Sequence, residues 1–216
     1  MTLDLPPEAL PLLGLATVLV ATVAFLILGL RGSVRSLRKV EPAFDPGSTR
    51  ISGVLVRWLE GRSRGFGFRY RLQPSTNNSP GAALLAAHVV AAFDWKAVEV
   101  GHGPQLLNLG TFALVQLGLL HDAEIGDPDL DRRLRFAATS EMELVVAFGG
   151  DSPRAALRQL ADTVNFHSIV VHRGSCRVQW SPRDASLDDS PDVVRERMAR
   201  VAELLTSLGV SPGFPS

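Results

Sequence analysis

The chain has 216 residues, 46% hydrophobic, 20% charged and 6% aromatic, which excludes a disordered, collagen-like or disulfide-rich protein. Its single cysteine, Cys176, cannot form an internal disulfide and excludes a zinc site built from several cysteines. Basic and acidic residues balance at 22 each, so the total charge lacks the footprint of a dedicated nucleic-acid binder, and no nucleic-acid partner is expected.

Residues 1–8 form a short leader that carries Asp4 and Glu8. From Ala9 to Leu30 no charge interrupts an apolar run, and as a helix this run is roughly 33 Å long, enough to cross a hydrocarbon core of about 30 Å. Only Thr17 and Thr22 break its apolar character, whereas a helix buried in a soluble core normally keeps one polar face. A cleaved signal peptide begins with basic residues, which this leader lacks. The residues predict a single membrane helix over 9–30, in contact with the lipid bilayer. Arg31, Arg35, Arg38 and Lys39 follow at once. This basic flank sets the topology: the leader lies outside and the rest in the cytoplasm, as in a single-pass protein of the inner (plasma) membrane.

Residues 31–50 contain Pro42, Pro46 and Gly47 and read as a basic juxtamembrane linker. Residues 51–209 then make one cytoplasmic domain, and 210–216 a flexible tail. Ile51–Leu59 and Gly65–Gln73 read as two strands joined by EGRSR, the second alternating Phe66, Phe68, Tyr70 and Leu72 with Gly67, Arg69 and Arg71. Pro74–Gly81 is a loop. Ala82–Phe93 is alanine-rich and predicts a buried helix, although Val89 and Val90 also fit a strand. Trp95–Val100, Thr111–Leu117 and Arg132–Ala138 are strand candidates. Asp151, Ser152 and Pro153 start a helix that runs to about Thr163. Ile169–His172 and Cys176–Trp180 flank HRGS as a hairpin. The last helix starts at Ser190 and Pro191 and stops before Gly209, with an apolar stripe of Val194, Met198, Val201, Leu205 and Leu208.

Arg64–Phe68 (RGFGF) matches the start of the RNA-recognition octamer, in which aromatic residues on an open sheet face stack on bases. The octamer then needs apolar residues where this chain has Arg69 and Arg71, so an ordinary strand is the better reading. Asp122, Glu124, Asp127, Asp129 and Asp131 crowd one stretch but lack the glycine and glutamate spacing of a calcium loop. His88, His102, His121, His167 and His172 show no converging set, and His172 with Cys176 makes at most two ligands. No nucleophile elbow, metal-protease helix, phosphate loop or dinucleotide turn occurs. No catalytic residue, metal ligand or cofactor is assigned.

Ile125–Phe136 (IGDPDLDRRLRF), followed by a strand hairpin and a terminal amphipathic helix, resembles membrane-anchored bacterial proteins that carry a domain of unknown function. The resemblance spans roughly residues 125–208 and implies an anchored α+β domain rather than an activity. The expected fold is α+β: one N-terminal membrane helix, then one mostly antiparallel sheet with two or three helices on it. The expected role is a protein-binding or scaffolding module for a membrane-associated partner. A membrane-tethered enzyme or small-ligand sensor with a non-local site is the alternative. A deep pocket gathering titratable groups favours that alternative, and an open surface favours binding.

Overall fold

A computed structural model of the chain describes residues 18–20, 33–53, 56–75, 80–100, 121–172 and 174–213. Its strands are β1 (Arg50–Ser52), β2 (Trp58–Ser63), β3 (Phe66–Gln73), β4 (Ala82–Val90), β5 (Trp95–Glu99), β6 (His121–Ala123), β7 (Leu134–Ala138), β8 (Phe166–His172), β9 (Ser175–Trp180) and β10 (Ser211–Pro212). They form one ten-stranded sheet in the order β1-β2-β3-β4-β9-β8-β5-β7-β6, with β10 added to β4. Every pairing is antiparallel. The helices are α1 (33–39), α2 (Pro128–Arg133), α3 (Glu141–Ala147), α4 (Asp151–Ala161), α5 (Ala185–Asp188) and α6 (Pro191–Ser207).

Strand alternation sends one residue set of the sheet into the core. Phe66, Phe68, Tyr70, Leu85, Val178 and Ile169 pack there against Val194, Met198, Val201 and Leu205 of α6 and Leu157 and Leu160 of α4. Trp95 meets Phe148 edge to face, with ring centroids 5.3 Å apart. Helices therefore cover one face. The two-residue turn Arg64-Gly65 between β2 and β3 has φ of 50° and 82°, the left-handed pair that matches the twist of a hairpin.

The expected architecture needs correction. The predicted membrane helix 9–30 lies outside the described residues, apart from the helical and exposed residues 18–20. Among the described residues no helix is long and apolar enough to cross a membrane. The fold thus gives no support to a single N-terminal membrane helix, because hydropathy measures the preference of a segment for apolar surroundings and not the helix it forms. The sheet is also larger, and carries more helices, than the two or three expected. α2 and α3 are short, and capping rather than periodicity marks their starts: Asp127 accepts from the Asp129 and Leu130 amides, and Ser140 from the Glu143 amide.

Three local readings change as well. Ala82–Val90 is the strand β4, paired along its length with β3 and β9, and that pairing outweighs the helix preference of its alanines. Residues 33–44 do not stand off the domain: Leu37, Val40, Ala43 and Phe44 are buried in the core. A Cβ on Gly61 of β2 would fall 2.6 Å from the Phe44 ring, so that approach needs glycine. Beyond α6, Ser211 and Pro212 pair with Val90 and Val89, which ties down the start of the expected tail. The strand candidate Thr111–Leu117 lies outside the described residues.

Candidate functional site

The second face of the sheet carries the residues that alternation turns away from the core. One row of paired positions crosses it from edge to edge: Arg50, Glu60 and Arg69 on β1–β3, Ala86, Arg177 and Val170 on β4, β9 and β8, then Lys96, Ala137 and Asp122 on β5, β7 and β6. A neighbouring row holds Arg71, Leu84, Gln179, Ser168, Val98 and Arg135. Among the described residues no helix lies over this face, since the buried apolar residues of the helices all join the core on the other side. Leu84, Ala86, Val98 and Val170 stay outside that core and are half-buried.

The two layers differ in how their cations are satisfied. On the helical side Arg132 pairs with Asp129 at 2.6 Å, Arg133 with Asp162 at 2.5 Å, Arg183 with Asp189 at 3.1 Å and Arg197 with Asp188 at 2.6 Å, and Arg158 pairs with Asp127. On the open face Glu60 takes Arg50 at 2.6 Å and Arg69 at 2.9 Å. Burial works against its charge, but Ser52, Arg50 and Arg69 together hold its carboxyl below the usual range. Arg62, Arg71, Lys96 and Arg177 form no ion pair among the described residues. Arg71 instead lies over Trp58, 5.6 Å from the ring centroid. Burial lowers the Lys96 ammonium pKa, and Asp122 partly offsets this. The face is basic, with small apolar side chains between its charges.

Beyond the Phe68–Ala87 pair with β3, β4 continues to Val90 and takes β10 as its new neighbour. The space left between β10 and β2 is an open cleft of about 700 Å³, bordered by Arg50, Arg62, Arg69 and His88. Burial, and then the charge of Arg69, push the His88 imidazole pKa below its ordinary value, with Glu60 partly opposing them. The cleft belongs to the same basic face. At the opposite edge Asp122, Glu124, Asp131 and Glu141 border an acidic hollow beside Arg135.

The residues singled out in the sequence do not converge. His88 lies in the cleft. His172 Nδ1 sits 2.7 Å from Asp94 Oδ2, His167 is buried in β8, and His121 pairs with Ala138 at the edge strand. His102 lies outside the described residues. Cys176 faces the core, where burial pushes its thiol up to about 12, too high for a reactive thiolate. Among the described residues no group of three or more His, Cys, Asp or Glu could hold a metal ion. Phe66 and Phe68 of RGFGF point into the core, so they cannot stack on bases. Of the topology flank, Arg35, Arg38 and Lys39 lie exposed on α1, and Lys39 reaches Asp189 at 3.3 Å; Arg31 lies outside the described residues. Sequence reasoning missed the assembled face. Its signal was partial: the wet alternation of Arg69 and Arg71 in β3, with nothing to bring Lys96 and Arg177 alongside.

No protein family and no curated protein matches the chain. Among solved structures, the crystal structure of the mycobacterial trehalose monomycolate transport factor A, TtfA, is similar at 14% identity and a TM-score of 0.45, over 84% of this chain and 98% of that one. A similarity of that size carries no argument about function.

Proposed function

We propose that this chain is a protein-binding module that works at the inner face of the plasma membrane and docks an acidic partner protein on its open sheet face. One observation carries the reading: among the described residues Arg62, Arg71, Lys96 and Arg177 share a face that no helix lies over and form no ion pairs, while Arg132, Arg133, Arg183 and Arg197 of the helical layer are paired within it. Unpaired cations gain little for the fold and much for the approach and orientation of an acidic partner. The apolar side chains among them supply contact area that a purely charged surface lacks. The membrane-side location rests on the charge asymmetry of the sequence around the apolar run 9–30, acidic before it and basic after it.

A photoreactive side chain placed at Gln179, on the open face, should give a discrete protein adduct in native membranes. The same group at Glu203, on the helical side, should not. Arg177→Glu should remove the adduct, and so should raised salt. An adduct formed equally from both positions, or one indifferent to Arg177, would refute the docking face. An alkaline phosphatase fusion after Ser216 that proved active outside the cytoplasm would refute the location.

A further inference from the structure

Resting on the acidic-partner reading, we propose that the partner docks a helix across strands β3, β4, β9, β8 and β5, presenting a carboxylate every seventh residue and an apolar side chain midway between carboxylates. Along these five strands the row reads Arg69, Ala86, Arg177, Val170, Lys96, a strict alternation of cation and small apolar residue. Strands lie about 4.8 Å apart, so successive cations are rooted about 10 Å apart with an apolar rung between them.

Only one regular backbone reproduces that two-beat pattern. Seven residues of α-helix advance about 10.5 Å and return to the same face, and the residue three or four positions on lies midway on that face. The difference of about 1 Å per step is within the reach of long Arg and Lys side chains. An extended chain covers about 10 Å in three residues, but the third residue points to the opposite side. A polyproline helix covers about 9.3 Å in three residues and keeps the face, yet it puts no side chain midway, leaving Ala86 and Val170 without contact. Leu84 and Val98 of the neighbouring row widen the apolar seam on which such a helix would rest.

The ends of the row set its direction. Asp122 and Glu124 lie at the β6 end, and Arg50 and Arg62 at the cleft. A helix carries partial positive charge at its N-terminus and partial negative charge at its C-terminus, so the N-terminus lies over β7 and β6 and the C-terminus toward the cleft. The same two ends argue against a lipid surface. A uniform field of phosphates is repelled by Glu60 and Asp122, whereas a helix of fixed spacing sets its carboxylates against the cations and its partly positive N-terminus against Asp122.

The test uses the full-length chain and two synthetic helical peptides of equal composition, each about 18 residues or roughly 27 Å long. One carries its carboxylates seven residues apart with leucines midway, the other five residues apart. Fluorescence anisotropy should show the first binding about tenfold tighter or better. Arg177→Glu should abolish the difference, and a lysine at the central acidic position of the peptide should restore it for that variant. Arg177 is exposed and makes no ion pair, so the variant keeps its fold, which circular dichroism checks. Equal affinity of the two peptides overturns the helix while leaving an acidic partner in place. Binding to phosphatidylglycerol vesicles through the same cations, with neither peptide bound, overturns the helix in favour of a lipid surface. Loss of both peptide binding and the charge-dependent Gln179 adduct overturns the acidic-partner reading itself.

Discussion

Arg197 and Asp188 meet at 2.6 Å with side chains only 3% and 1% exposed, inside a small polar network. Asp188 Oδ2 accepts from the Asp184 amide at 2.9 Å, and the Tyr70 hydroxyl donates to the Asp188 carbonyl at 2.9 Å. The Arg197 guanidinium lies 4.5 Å from the Trp180 ring centroid. Burial, with Asp188 nearby, raises the Tyr70 phenol well above its usual range, so it serves as a neutral donor. A buried pair adds little over apolar residues of equal volume, but removing one partner strands a charge. Arg197→Met should therefore cost about 3 to 5 kcal/mol. Adding Asp188→Asn should recover part of that loss, as urea unfolding of all four members of the cycle would measure. A double variant no more stable than Arg197→Met would assign the cost to packing on Trp180. The sequence places Arg197 beside Met198 on the rim of the apolar stripe, which reads as solvated. Its partner lies across a helix break, in α5, and no periodicity announces such a pair.

At the scale of elements, legibility followed the strength of the local signal. The last helix was readable because its caps and its stripe agree: Val194, Met198, Val201 and Leu205 are all buried, and Leu205→Ala should cost about 2 to 5 kcal/mol. Unchanged thermal stability would mean that the stripe packs on nothing. β4 was not readable in the same way. The helix preference of alanine amounts to tenths of a kcal/mol per residue, and pairing with both β3 and β9 outweighs it. α2 shows no apolar period in the sequence, although its stretch holds its own N-cap in Asp127. Asp127 is buried, which works against its charge, but Arg158 and the Leu130 and Asp129 amides hold its carboxyl below the ordinary value of 3.8. A depressed folded-state pKa gives stability that is present above the unfolded value and is lost as pH falls through the folded one. Acid titration should thus lower the protein's stability progressively below about pH 4, and Asp127→Asn should flatten that loss. An equally steep acid limb in the variant would remove Asp127 from the account.

Over the whole molecule, zero net charge hides a segregation of charge that only the register of nine strands brings together. Lys96, Arg177 and Arg69 are far apart in the chain, and no spacing rule links them, so the sequence could show one wet strand but not a basic face. Their arrangement also carries an energetic signature. Arg177 sits between Arg69 and Lys96, two strands away on either side, about 10 Å and so about one screening length at moderate salt. Its charge is repelled by both and paired with nothing described. Arg177→Glu should leave stability within about 0.5 kcal/mol of the wild type, shifted toward greater stability at low salt. Arg133 on the helical side pairs with Asp162 at 2.5 Å and Glu99 at 3.5 Å and donates to the Ala161 carbonyl, so Arg133→Glu should lower stability by about 1 kcal/mol or more. Thermal melts of the two variants across a salt series make the comparison. If the open-face reversal proved as costly as the helical one, Arg177 would be serving the fold. If it stabilises at low salt, the cation is carried at a small cost to the folded state, as expected of residues whose counter-charges arrive with a partner.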